Sequence, residues 1–292
     1  MAVQNTLTKA NQKMGITAYL TADAVKNQIN SIIGGKNGEK FITSIVSAVN
    51  ANPALQECTN QSILSAALLG QSLNLSPSPQ MGFYYLVPYN DRERGKVAQF
   101  QLGYKGYIQL AIRTGQYKSL NVLAIKEGEL VKFDALNEEI EVNLIEDEEV
   151  REKTPTIGYY ASFTYLNGFR KAIYWSKAKM ESHALRYSKG FAAHKGYTFW
   201  EKDFDGMAYK TMLRQLISKW GVMSTDFEKA YEADMGVISE NGSVTYVDNE
   251  DQVEEPVGMN PPVEAEVVEK KPEKKKKEAD DIQQAFFGGN EA

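Results

Sequence analysis

Apolar positions along this chain change period repeatedly, and residues that favour turns sit where they change. Early on the spacing is helical. ADAVKNQINSII follows Thr21 as N-cap and stops at Gly34-Gly35. A second helix is predicted from Gly38 or Glu39 through Val49, where Asn52-Pro53 breaks it. A third runs from Gln61 to Leu73 behind Thr59 or Asn60, and its Ser65, Ala66, Ala67 and Gly70 permit close packing. The period then falls to two. Met81–Val87 and Val97–Leu102 read as strands joined by PYNDRERGK, whose Arg92, Arg94 and Lys96 form either a solvated hairpin tip or a basic finger.

Further along, Leu120 to Phe133 alternates as strand or hairpin with a turn at Glu127-Gly128, and Glu138 to Ile145 alternates acids with apolar residues. Thr156–Leu166 and Phe169–Trp175 flank Asn167-Gly168, a pair that favours a two-residue type I′ turn. Ser176 caps a helix over Lys177–Tyr187, and Asp203 or Asp205 caps a last one ending at Trp220 and Gly221. The buried face of that last helix is Leu213, Leu216, Ile217 and Trp220. The sum is an α+β chain.

The stretch from Gln99 to Gln116, QFQLGYKGYIQLAIRTGQ, passes from strand to helix across two glycines. On a helix over Tyr104–Thr114, Lys105, Gln109 and Arg113 form one polar, cationic stripe, and Tyr104, Ile108, Ala111 and Ile112 lie opposite it. Gly103 and Gly106 leave room for another backbone, that of a polymer ligand included. From spacing alone, an ordinary amphipathic helix with solvated charges is the better reading.

The chain has 292 residues, 42% of them hydrophobic, and a mean hydropathy of −0.42, as expected of a soluble protein able to bury a core. No apolar run approaches a membrane span, and the N-terminus lacks a secretory pattern. One cysteine, Cys58, excludes an internal disulfide and suits a reducing cytoplasm. The net charge of −5 is unevenly spread. From Gly236 onward there are 6 Lys against 14 acids, whereas residues 1–235 carry 27 basic and 24 acidic groups. Nine of those acids fall between Asp134 and Glu152, so the rest of the body is basic and suited to a phosphate backbone. Three regions are expected: a flexible arm over 1–20, a folded body over 21–235, and a disordered tail over 236–292 with a lysine block and a terminal Phe286-Phe287 segment that is either a docking peptide or solvated.

Candidate chemistry is dominated by cations and rings. SKGFAAHKGYTFW interleaves Lys189 and Lys195 with Phe191, Tyr197, Phe199 and Trp200, a mix that suits single-stranded nucleic acid. Trp200 reads equally as a core residue. Lys210 and Arg214 share one flank of the last helix and Lys219 the other. GGKNGEK lacks the spacing of a phosphate loop. Two histidines and one cysteine supply neither a zinc site nor a Cys-His nucleophile, and no cofactor or metal is expected. The acids of the alternating strand are better explained as a charged strand edge than as a metal site.

Three segments carry a resemblance. SILSAALLGQSLNLSPSPQMGFYYLVPY, GYKGYIQLAIRTGQYKSLNV and MAYKTMLRQLISKWG resemble, in the same order, the RecT family of phage and prophage recombinases, over roughly Ala22 to Asp234. The resemblance implies a curved antiparallel sheet backed by helices. It also implies ATP-independent annealing of complementary single-stranded DNA, without enzymatic catalysis, by a ring or helical filament. Implied partners are single-stranded DNA and the annealed duplex, a phage exonuclease and the host single-stranded-DNA-binding protein, in the bacterial cytoplasm or nucleoid. Expected phosphate contacts are Lys105, Arg113, Arg186, Lys189, Lys195, Lys210 and Arg214, with Tyr104, Tyr209 and Trp200 as base or sugar contacts. Lys105, Arg113 and Lys210 lie inside the matching segments. A passive single-strand-coating protein is the alternative. A metal-dependent nuclease using acids near Glu127–Glu141 is a weaker one.

Overall fold

In the computed structural model, residues 14–91, 94–196, 198–238 and 244–245 are described, apart from the side chains of 35, 36 and 245. Expectations for residues 1–13, Arg92, Tyr197 and the tail from 246 lie outside these residues.

Gly34, at φ 87°, separates α2 (Asp23–Ile33) from α3 (Gly35–Ala51), and α1 (Ile16–Thr21) precedes them. Part of the expected arm is therefore helical, with Tyr19 and Leu20 buried. Thr21 ends that helix instead of capping the next: its hydroxyl donates back to the Thr17 carbonyl at 2.8 Å. A 3-10 turn with Pro53 at its start leads to α4 (Asn60–Ser72), capped by Thr59, which accepts from the Ser62 amide. Small residues bury α4 on several sides, as its composition predicts.

The strands β1 (Tyr84–Asp91) and β2 (Gly95–Leu102) pair antiparallel from Tyr84–Leu102 to Asp91–Gly95. α5 (Tyr104–Arg113) follows directly. Its buried side differs from the expected one. Gly106, Tyr107, Leu110 and Ala111 face inward, Tyr104 and Ile108 are half-buried, and Ile112 is 57% exposed. The glycines explain the rotation. A Cβ at Gly103 would lie 2.2 Å from the Gly82 carbonyl oxygen, and one at Gly106 2.1 Å from that of Phe83. The backbone they admit is the chain's own.

A three-stranded antiparallel sheet, in the order β3-β6-β7, is built from β3 (Tyr117–Lys126), β6 (Thr156–Tyr165) and β7 (Arg170–Ser176). Between β3 and β6 the chain inserts the hairpin β4 (Leu130–Asp134) with β5 (Glu139–Val142) and the short α6 (Glu148–Lys153). The β6–β7 turn is not the expected type I′. The Gly168 amide donates to the Tyr165 carbonyl, so Leu166 and Asn167 are the central residues. Of Asn167 and Gly168 only Gly168 has positive φ, at 89°, which defines a three-residue loop with a glycine bulge.

After Ser176, which caps as expected, come α7 (Lys177–Tyr187), α8 (Lys189–Ala192), α9 (Phe199–Lys202), α10 (Phe204–Trp220) and α11 (Thr225–Ala233). The Asp203 carboxylate accepts from the Gly206 amide and starts α10. Two short strands, β8 (Val237–Ile238) and β9 (Val244–Thr245), lie past Gly236, where the tail was expected to begin, and Phe100 of β2 bridges to Gly236.

The fold is thus α+β with antiparallel strands, divided among four small sheets in the described residues. α10 joins its parts. Leu213 and Ile217 enter the core of α1–α5, β1–β2 and α11, while Ala208, Met212 and Leu216 enter the core between α7 and one face of the three-stranded sheet. The opposite face of that sheet, through Ile125, Tyr160 and Ala172, packs against Leu130, Ile140 and Val142 of the β4–β5 hairpin. Trp220, expected in the buried face of α10, is 38% exposed.

Candidate nucleic-acid interface

Where β1, α5, β6, α9 and the start of α10 meet, the half-buried rings of Tyr104, Tyr209 and Phe204 form a row around the fully buried Tyr159. The Tyr104 and Tyr209 centroids are 5.6 Å apart edge-to-face, those of Tyr209 and Tyr159 6.1 Å, and those of Tyr159 and Phe204 6.3 Å. A lysine stands at each end. Lys105 Nζ is 6.0 Å from the Tyr104 centroid, and Lys177 Nζ is 3.7 Å from that of Phe204. Lys177 also donates to the Tyr159 hydroxyl at 3.2 Å, which in turn donates to Asp205 Oδ1 at 2.5 Å. The position of Lys177 follows from the Ser176 cap, which sets it at the first position of α7.

Tyr85 extends the Lys105 end. Its ring is 5.4 Å from that of Phe199, and its hydroxyl lies 3.1 Å from where a Gly82 Cβ would stand, with Lys105 Cδ at 3.3 Å from the same point. Gly82, at φ 67°, leaves that space open. Burial, and then the charge of Asp203 and the neighbouring Tyr104, pushes the Tyr85 phenol up; burial, and then Asp205, does the same for Tyr209. Both stay neutral near pH 7, able to donate a hydrogen bond and to present a ring face. Cations beside rings suit phosphates beside bases.

The expected contact residues divide into two groups. Lys105, Arg186, Lys189 and Lys195 are exposed, with Arg186 stacked 5.4 Å from the Tyr187 centroid. Arg113 is exposed as well, but its guanidinium donates to the carbonyls of Leu73 at 2.7 Å and Asn74 at 2.9 Å, closing the C-terminal end of α4. Tyr104 and Tyr209 belong to the ring row. Trp200 is only 7% exposed and packs with Phe204 and Phe191, so its surroundings are those of a core residue and not of a stacking face. Tyr85, Tyr159 and Lys177 were not singled out from the sequence. Ring positions in β1 and β6 look like core-forming alternation until the fold brings them to α5 and α10.

Lys210 and Arg214 are placed otherwise than expected. Lys210 is 6% exposed and donates to Asp234 Oδ1 at 2.8 Å; Arg214 donates to Asp234 Oδ2 at 2.9 Å and stacks 4.2 Å from the Tyr231 centroid. The Leu102 amide and the Tyr107 hydroxyl complete the carboxylate's partners at 2.9 and 3.2 Å. Burial pushes the Lys210 ammonium down from its usual value while Asp234 pulls it back up. One turn apart on α10, both cations reach the residue that ends α11. This corrects the sequence reading: a buried ammonium held by a carboxylate is a tie between elements, not a phosphate contact.

The acids near Glu127–Glu141 also have structural positions. Glu129 is fully buried and accepts from Arg151 Nε at 2.6 Å and the amides of Lys126 and Ile145 at 2.7 and 3.2 Å. Burial alone would raise its pKa; Arg151 and the amides outweigh it and hold the carboxyl below its usual range. Among the described residues, no three side chains of His, Cys, Asp or Glu converge as metal ligands, and no helix is long and apolar enough to cross a membrane.

A fold of antiparallel strands and helices carrying a lysine-flanked row of rings defines a candidate single-strand-binding body. Comparison with known proteins gives its family. The family model described as "RecT family" matches residues 39–246. The chain is 40% identical over 257 residues to the uncharacterized protein YqaK of Bacillus subtilis (strain 168), covering 84% of this chain and 85% of that one. It is 27% identical over 226 residues to Protein RecT of Escherichia coli (strain K12), covering 75% and 80%. The chain belongs to the RecT family, whose members are single-strand annealing recombination proteins.

Proposed function

We propose that this protein pairs complementary DNA single strands without a nucleotide cofactor, holding the first strand by its phosphates along the ring row while its bases stay open. The observation that carries this reading is the run Lys105–Tyr104–Tyr209–Tyr159–Phe204–Lys177, cations at both ends of linked rings. The lysines of such a site grip backbone and the half-buried Tyr104, Tyr209 and Phe204 offer faces to bases without reading sequence, while the buried Tyr159 ties the row together. Base pairing with the second strand then supplies both specificity and driving force. Arg186, Lys189 and Lys195 extend the phosphate track, and Arg113 adds whichever N–H groups its two carbonyls leave over. The protein acts as a binder and not as an enzyme, in a ring or helical filament that aligns the tracks of neighbouring copies. Its functional partners are an exonuclease that exposes single strands and the host protein that coats them.

The salt dependence of binding tests the track. Lys105→Ala should weaken affinity for a single-stranded oligonucleotide and flatten the plot of log K against log salt by about 0.7, one phosphate's worth on a single strand. Lys210→Ala, where it folds, should leave that slope unchanged. Equal slopes for wild type and Lys105→Ala would remove Lys105, and the row it anchors, from the site.

A further inference from the structure

A second group of cations and rings lies apart from that row. Lys179 on α7 has its Nζ 4.4 Å from the Trp175 centroid. Lys219, near the end of α10, lies 5.8 Å from the Trp220 centroid, and Lys171 on β7 reaches the same ring at 4.6 Å. Lys171 is also paired with Glu138. Lys179 and Lys219 are exposed, and among the described residues neither has a carboxylate within ion-pair distance. β7 links the two pairs: Lys171, which reaches Trp220, and Trp175, which lies under Lys179, stand four residues apart on one face of the strand, and the charge of Lys219 adds to partial burial in pushing Lys179 down. Three elements thus bring like charges together around two indoles, an arrangement that an anion would relieve.

The group is also directed away from the first site. Lys177 and Lys179 are two residues apart, about 200° around a helix. The first meets Phe204 and the second Trp175. Lys219 lies ten residues beyond Tyr209 on α10, about 15 Å along the axis.

We infer that Lys179, Lys219, Trp175 and Trp220 form a second binding site for single-stranded DNA, one that recruits the incoming strand while the first strand occupies the ring row. This rests on the annealing function proposed above. The ligand class follows from the chemistry. Clustered ammonium groups favour a phosphate backbone, and an exposed indole favours a strand whose bases are unpaired over a duplex whose faces are stacked away. An annealing protein that holds one strand gains from a separate, weaker hold on the next, because capture then becomes a transfer over a short distance.

The test uses the full chain saturated with a donor-labelled oligonucleotide, to which an acceptor-labelled second strand is added, either complementary or not. Variants are Lys179→Ala/Lys219→Ala and the charge reversal Lys179→Glu/Lys219→Glu, with thermal melting and sedimentation as checks on fold and assembly. The expected result is first-strand affinity within about two-fold of wild type, capture slowed several-fold in the alanine variant and about ten-fold or more in the reversal, and the capture rate's salt slope flattened by about 1.4 in the alanine variant. Unchanged capture by the reversal variant would overturn the inference. So would first-strand affinity that falls in parallel, which would put these lysines on the first track, or lost assembly, which would make the patch a contact between copies. If the wild type fails to pair strands, the annealing reading falls instead. Recruitment of the non-complementary strand then decides the patch: equal recruitment by wild type and reversal sinks it.

Discussion

Asp234→Asn should be among the most damaging single changes in the body, although the residue ends a short helix near the end of the described chain. Its carboxylate is buried and accepts from four donors on three elements: the Leu102 amide of β2, the Tyr107 hydroxyl of α5, and Lys210 and Arg214 of α10. Asparagine keeps the size and one acceptor oxygen but removes the charge, leaving two cations four residues apart with no anion between them. Stripping one partner from a buried ion pair costs about 3–5 kcal/mol. At about 2–4 °C per kcal/mol for a domain of 150–250 residues, the melting temperature should fall by about 6–20 °C. Lys210→Met is the informative control. It removes an ammonium that burial already disfavours and leaves Arg214 and Asp234 matched one to one, so its loss should stay under about 1.5 kcal/mol. Thermal melts by circular dichroism at one fixed protein concentration, with urea midpoints at unchanged slope, give both numbers. An Asp234→Asn protein melting within about 2 °C of wild type would refute the argument, as would a Lys210→Met loss equal to that of Asp234→Asn.

Other substitutions separate structure from binding. Trp200→Ala should cost about 3–5 kcal/mol in urea unfolding, while its single-strand affinity, measured where the protein is folded, stays within about two-fold; a selective loss of affinity would return Trp200 to the interface. Gly106→Ala places a methyl 2.1 Å from the Phe83 carbonyl oxygen, which backbone must move to accommodate, and should cost about 1–3 kcal/mol; an unchanged urea midpoint would contradict this. His183 sits among Trp175, Tyr187 and Trp200, and burial, helped by Arg214 and Arg186, pushes it down to about 4 from 6.5. Between those values the unfolded chain binds more protons, so this contribution is complete above pH 6.5 and is lost as pH falls toward 4. In His183→Phe, stability should fall less steeply across that window, and parallel acid profiles for variant and wild type would remove His183 as a cause.

Much of the fold was legible because local signals agreed with it. Gly34, Ser176 and Asp203 mark helix ends where they were expected, and the β6–β7 pairing follows from alternation. The face of α5 was misjudged by weighing side-chain hydrophobicity alone. Gly103, Gly106, Tyr107 and Leu110 themselves have i, i+3, i+4, i+7 spacing, and the close approach of Gly82-Phe83 makes the glycine side the inner one. The same limit applies to charges. A lysine pattern on a helix shows where cations stand, but only the fold reveals that Asp234, twenty-four residues after Lys210, closes on it. Conversely, the rings beside Lys177 and Lys179 belong to β6, β7 and α10, outside the helix that carries the two lysines, so the pattern of α7 alone does not show them.

The central claim is annealing, and the direct measurement is energy transfer between two labelled complementary oligonucleotides mixed with the protein in the absence of ATP, beside a non-complementary pair. The account predicts pairing faster than the spontaneous rate, confined to the complementary strands and slowed by Lys105→Ala. Tight binding of each strand with pairing slower than without protein would contradict it and identify a strand-coating protein instead.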